Sequence, residues 1–163
     1  MSFYLIIRGP LGSGKSTISK KLAEELGTKY FAVDDVLEQH QLTGDKEEGY
    51  ISQKSFKKVN EIIEPEARQV LEAGGVVIFD GNFYWQSAIE DLIAHLPYSH
   101  EVFTLHLPLE VCIERDSKRT PPHGEGAATV VYNKTMSFEY GVPIDATKSI
   151  EASIVEIKRK LPL

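Results

Sequence analysis

The chain contains one cysteine, Cys112, in 163 residues, which excludes an internal disulfide framework. It has no run of ~18 apolar residues, so no span-forming helix is expected. Basic residues are outnumbered, with Lys+Arg 18 against Asp+Glu 24 and a net charge of −6. That balance repels a nucleic-acid backbone in general, although a local basic groove could still bind one. The opening MSFYLIIRG has neither a basic start nor a small-residue cleavage site. It therefore does not read as a signal peptide, and the expected location is the cytoplasm. Repeats, low-complexity segments and linkers are also lacking, so residues 1–163 are expected to form a single domain.

What the sequence does contain is an alternation of elements. Residues 3–8 form a continuous apolar run, as a strand buried on both faces should. A helix follows over 15–26, with Ile18, Leu22 and Leu26 on one face and Gly27 as its stop. Further strands are predicted at 29–33, 76–79, 102–107 and 142–144. Further helices are predicted at 53–73, 85–96, from Pro108 onward, at 127–138 and from Ile150 to Leu161. Pro65 should kink or divide the long helix. Residues 44–49 read as a solvated loop. Strands alternating with helices argue for an α/β domain with a parallel sheet covered on both sides.

Residues 9–16 read GPLGSGKS, which is G-x-x-x-x-G-K-[ST] placed after an apolar strand and before a helix. Glycines let backbone N–H groups turn inward around phosphate oxygens, and the helix aims its positive end at the same place. The expected cradle comprises Gly9, Leu11, Gly12, Ser13, Gly14, Lys15, Ser16 and Thr17. Lys15 can neutralise phosphates and the Ser16 hydroxyl can ligate Mg²⁺.

Two further strands end in acid, at FAVDD (31–35) and VVIFD (76–80). Ligands of open α/β sheets gather at such strand ends. Asp80 can hold Mg²⁺ directly or through water, or cap the next helix. Asp34 can take a proton from an acceptor hydroxyl, and Asp35 is expected to cap a helix. Asn82 and Tyr84 follow on the acceptor side. Phe83, Tyr84 and Trp85 can form a stacking wall for a flat substrate or ordinary core. In RDSKRTPPHGEG, Arg115 and Arg119 stand four apart, on one face if helical. They can fork onto phosphate oxygens, while Pro121-Pro122 would end the helix and Gly124 and Gly126 let the flap bend. His123 reads as an exposed loop residue and Cys112 as a buried structural thiol.

On GPLGSGKST, the Asp pair of AVDDV, the DGN after the third strand and ERDSKR, the chain resembles small P-loop kinases. It is most similar to the polynucleotide kinase and chloramphenicol phosphotransferase group, and more distantly to shikimate, gluconate and adenylate kinases. The resemblance implies a three-layer P-loop NTPase fold with a five-stranded parallel sheet in order 2-3-1-4-5 and a short helical lid at about 115–130. It implies ATP and Mg²⁺, with Asp34 as general base, Asp80 orienting acceptor or metal, and Arg115 and Arg119 on the ATP phosphates. It also implies that Asp145-Ala146-Thr147 packs against adenine. Val36-Leu37-Glu38 stands where the polynucleotide kinase carries a basic residue, which argues against a nucleic-acid acceptor. The expectation is therefore an ATP-dependent phosphotransferase acting on a hydroxyl of a small molecule. A kinase of a nucleic-acid 5′ end or nucleotide and a nucleotide-gated ATPase switch stand as alternatives.

Overall fold

The computed structural model describes residues 1–162. Its centre is β1 (Phe3–Arg8), every residue of which is buried. Side chains alternate across a strand, so β1 feeds two cores. Phe3, Leu5 and Ile7 join one with α1 (Lys15–Leu26), α5 (Leu109–Ser117) and α7 (Ile150–Lys158). Tyr4 and Ile6 join the other with α2 (Val33–Gln39), α3 (Gln53–Glu72) and α4 (Gln86–His95).

The remaining elements are β2 (Lys29–Ala32), β3 (Lys46–Glu47), β4 (Tyr50–Ile51), β5 (Val76–Gly81), β6 (Ser99–His106), α6 (Glu125–Thr135) and β7 (Val142–Asp145). Five strands form one parallel sheet in the order β2-β5-β1-β6-β7. The expected 2-3-1-4-5 describes this sheet once β3 and β4 are left out of the numbering. Those two strands form a separate antiparallel hairpin where a solvated loop was expected. Its turn uses left-handed backbone at Glu48 and Gly49, with φ 54° and 84°. No helix among the described residues is long and apolar enough to cross a membrane.

Several boundaries differ from the sequence reading for physical reasons. α3 runs unbroken through Pro65. It buries Phe56, Val59, Ile63, Ala67 and Leu71. At roughly 1.5–3 kcal/mol for each large side chain, that offsets the ~3 kcal/mol a mid-helix proline costs. β2 stops at Ala32, so Asp34 lies in the first turn of α2 and not at a strand end. Asp35 does not cap that helix. Ala32 holds the N-cap position without a side-chain bond, and both aspartates sit in the first turn, where the helix dipole favours them. α5 ends at Ser117, before Pro121-Pro122, so Arg119 lies beyond the helix. Pro108 and Trp85 are N-caps instead of first helical residues.

Candidate active site

The loop between β1 and α1 is shaped by two glycines in left-handed conformation, Gly12 at φ 78° and Gly14 at φ 88°. A Cβ on Gly12 would lie 2.2 Å from the Cys112 carbonyl oxygen, so the loop backbone rests directly on α5. Gly14 is the N-cap of α1, which leaves the first N–H groups of that helix facing the loop. A cavity of about 420 Å³ opens there, lined by residues 12–17, Arg115, Arg119 and residues 148–150. Gly9 lies beneath the lining, where a Cβ would meet the Ser13 hydroxyl at 2.6 Å. Leu11 is half-buried beside it.

The carboxylates converge on the same place. Lys15 is buried, although it carries a charge. Its ammonium pulls down the proton affinities of both Asp34 and Asp80. Burial nevertheless dominates at Asp34, and the Asp80 charge adds to it, so its carboxyl is pushed up to about 6. The Asn82 N–H donates to Asp34 at 3.2 Å and partly opposes that rise. Asp80 is raised as well, by burial, against Lys15 and the hydroxyls of Tyr30 and Ser16. Tyr30 donates to Asp80 Oδ2 at 2.5 Å, while Asp80 Oδ1 is buried with no protein partner. A buried carboxylate oxygen without a donor, beside an exposed serine hydroxyl, suits a hard divalent cation of the Mg²⁺ type. The described residues hold no group of three or more His, Cys, Asp or Glu that could bind a metal by themselves. The remaining ligands would have to come from phosphate oxygens and water.

The Arg115 guanidinium lies 3.5 Å from the Ser13 carbonyl oxygen and is half-buried, whereas Arg119 is exposed. Both face the cavity, though not from one helical face. The loop carrying Arg119 is closed by Asp116, which is buried at the end of α5. Its carboxylate accepts from the His123 N–H at 3.2 Å, from the Gly124 N–H at 2.9 Å, and lies 2.7 Å from His123 Nδ1. Burial pushes Asp116 up, but these bonds outweigh it and leave the carboxyl below its ordinary value. His123 is thus an exposed loop residue, as expected, and is fastened to Asp116. Cys112 is buried, with its thiol pushed up to about 11 by burial, in keeping with an inert thiol.

The segment expected against adenine, residues 145–147, forms a turn that leads into the cavity wall. Thr147 N–H donates to Asp145 at 3.0 Å, a local turn, and Ala146 is buried, donating to His106 O at 2.9 Å. Residues 145–147 do not line the cavity, but Lys148, Ser149 and Ile150 do. Ser149 caps α7 by accepting from Ala152 N–H at 3.1 Å, so a second helix N-terminus borders the cavity. That cap was legible as a serine directly before the last periodic run.

Phe83, Tyr84 and Trp85 are core. Phe83 is held at φ 43°, a left-handed turn that costs an L-residue about 1–2 kcal/mol. Tyr84 is withdrawn from solvent, and its hydroxyl accepts from Ile51 N–H at 3.0 Å. Trp85 Nε1–H donates to Ile51 O at 2.7 Å. These bonds dock the β3–β4 hairpin onto the segment after β5. The sequence reading also missed Arg8. It is fully buried on the Tyr4 and Ile6 side, donating to Phe83 O at 3.3 Å, Thr104 Oγ1 at 3.1 Å and Thr135 O at 2.5 Å. Burial lowers its pKa to about 10.

This arrangement, a glycine-shaped loop flanked by a lysine, two carboxylates and two arginines on a parallel α/β sheet, is that of a P-loop protein. Residues 5–138 match AAA_33, an AAA domain family, and the chain belongs to it. Its resemblance to small P-loop kinases extends to curated relatives and solved structures. A shikimate kinase of Francisella tularensis subsp. holarctica is 30% identical over 125 residues, covering 71% of this chain and 64% of the relative. A shikimate kinase of Actinobacillus succinogenes is 31% identical over 87 residues, with 48% of each chain covered. The chain thus matches about half to two thirds of the length of these relatives.

Solved structures show the same fold. A gluconokinase from Sinorhizobium meliloti superposes with TM-score 0.71 at 18% identity, covering 94% of this chain and 87% of that one. The Deinococcus radiodurans tunicamycin resistance protein gives 0.71 at 23% identity, covering 100% and 97%. The Aquifex aeolicus shikimate kinase gives 0.64 at 22% identity, covering 98% and 95%.

Proposed function

We propose that the chain is an ATP-dependent phosphotransferase that moves the γ-phosphoryl group of ATP to a hydroxyl of a small molecule. The observation that carries this is the convergence of Lys15, Asp34 and Asp80 beside the cavity at the P-loop. A simple binding module needs the cradle, but it does not need two half-buried or buried carboxylates held next to the cradle lysine.

ATP places its phosphates on the N–H groups of residues 12–17, with Lys15, Arg115 and Arg119 around the transferring group. Residues 148–150, continuing from the 145–147 turn, border the nucleotide. The acceptor oxygen attacks the γ-phosphorus. The new O–P bond forms as the bond from phosphorus to the β–γ bridging oxygen breaks, and ADP leaves with that electron pair. The hydroxyl proton passes to the Asp34 carboxylate, whose raised proton affinity suits the transfer near neutral pH. Asn82 N–H keeps that carboxylate aimed. Mg²⁺ held by Ser16 and Asp80 Oδ1 would supply neutralisation of the phosphate charge.

The test is acceptor-stimulated ADP release across a panel of hydroxyl metabolites and oligonucleotides. The expected result is stimulation by one small-molecule class, with Lys15→Ala and Asp34→Asn reducing it by about 10²–10⁴-fold. A flat response to every acceptor, with basal ATP hydrolysis intact, would favour a nucleotide-gated switch instead.

A further inference from the structure

Lys134, at the C-terminal end of α6, does not point into solvent. Its Nζ lies 3.6 Å from the centroid of the Trp85 ring and 5.2 Å from that of Tyr50. Tyr50 stands nearly perpendicular to Trp85, at 83°, and Tyr84 packs edge-on against both. Glu48, in the hairpin turn, lies 3.5 Å from the same ammonium. An aromatic corner closed by a carboxylate is the arrangement that binds ammonium groups through the ring quadrupole. Here the chain's own lysine occupies it.

The rings are fixed in advance. Tyr84 and Trp85 are both hydrogen-bonded to Ile51, so the corner does not need to form around a guest. It also borders the proposed base. Asn82, two residues before Tyr84, donates to Asp34, and the Asp34 charge is felt at the Tyr84 hydroxyl.

The arginine inventory points the same way. A carboxylate or phosphate acceptor is ordinarily clamped by a guanidinium fork. The chain has Arg8, Arg68, Arg115, Arg119 and Arg159 and no others. Arg8 spends its donors on Phe83, Thr104 and Thr135. Arg68 is paired with Glu64, and Arg159 borders a separate surface at α7. Arg115 and Arg119 face the P-loop cavity. None is left over for an anionic acceptor.

We propose that the acceptor is an ammonium-bearing alcohol, whose cationic group takes the position Lys134 Nζ holds on Trp85 and Tyr50 while its hydroxyl reaches Asp34. This rests on the phosphotransferase reading of Asp34. Lys134 serves as a resident stand-in that keeps the buried rings paired until the substrate displaces it. Its flexible stem, 18% exposed, allows the ammonium to swing out to water.

Trp85 is the only tryptophan of the chain, so its intrinsic fluorescence reads the corner directly. The experiment titrates wild type and Lys134→Ala with choline, with its uncharged isostere 3,3-dimethylbutanol, and with gluconate. The expected result is a saturable change with choline, at about tenfold lower concentration in Lys134→Ala than in wild type. The other two compounds should lack a matching response. The proposal is overturned if Lys134→Ala shows no saturable choline response, or if 3,3-dimethylbutanol or gluconate matches choline. A rise in melting temperature with MgATP shows that the variant is folded, and Lys134→Met carries the same measurement if the alanine variant is not. Choline binding with no ADP release from any ammonium alcohol would uphold the corner and count against the phosphotransferase reading. Transfer to gluconate in place of ammonium alcohols would do the reverse.

Discussion

The backbone N–H of Asn82 donates to the Asp34 carboxylate at 3.2 Å, pinning the first turn of α2 to the end of β5. One bond thereby sets the distance between the proposed base and the strand that carries Asp80. It also holds Asp34 where water is scarce, and its carboxyl is pushed up to about 6 as a result.

That shift makes stability and activity depend on pH in opposite directions. A carboxyl raised in the folded state contributes stability fully below its unfolded value of about 3.8, and loses it as pH rises towards about 6. Above pH 6 the folded protein therefore bears the full cost of the charge. Asp34→Asn removes that cost, and should stabilise the free protein at pH 7 by on the order of 1–3 kcal/mol, with no gain below pH 4. Melting temperatures of the two proteins across pH 3–8 check this. Activity runs the other way: wild-type kcat/KM should rise about tenfold per pH unit up to pH 6 and then level off.

Gly12 and Gly27 both have left-handed backbone, at φ 78° and 61°, but only Gly12 meets a neighbour. Alanine at Gly12 would drive its Cβ into the Cys112 carbonyl, so the loop must shift. Nucleotide affinity should fall by at least about tenfold. Alanine at Gly27 adds only local strain, about 1–2 kcal/mol, and should leave MgATP affinity unchanged. Isothermal titration of both variants separates the two effects.

Arg8 is a buried cation without a carboxylate. Replacing it with methionine relieves the burial of charge but leaves the Phe83 and Thr135 carbonyls without donors. Unsatisfied buried acceptors decide the outcome, and Arg8→Met should lose on the order of 3 kcal/mol in urea unfolding. Arg8→Lys should not rescue it, because one ammonium cannot reach acceptors on three separate elements.

Much of this was legible in the sequence, for reasons that differ by element. β1 and α1 were read nearly to the residue, since one is apolar up to its last position and the other strictly periodic. The cradle was legible because its chemistry is local: four spaced residues suffice. The hairpin was not, since Lys46-Glu47 and Tyr50-Ile51 are too short to show alternation, and their partners, Tyr84 and Trp85, lie some thirty residues on. Arg8 was hidden because a charged residue at a strand end normally reads as exposed. Residues 148–150 were missed because Ser149 reads only as a helix cap, and only the fold brings that cap to the P-loop.

The contact between Gly12 and α5 makes the two arginines unequal. Arg115 grows from a helix that the loop itself leans on, and its guanidinium reaches back to the Ser13 carbonyl of that loop. Arg119 stands past the helix end, on a short exposed span whose two ends Asp116 ties together. In mechanical terms, Arg115 is the anvil and Arg119 the hammer. On the proposed function, shortening or stiffening residues 118–122 should therefore lower kcat while leaving MgATP affinity by isothermal titration unchanged.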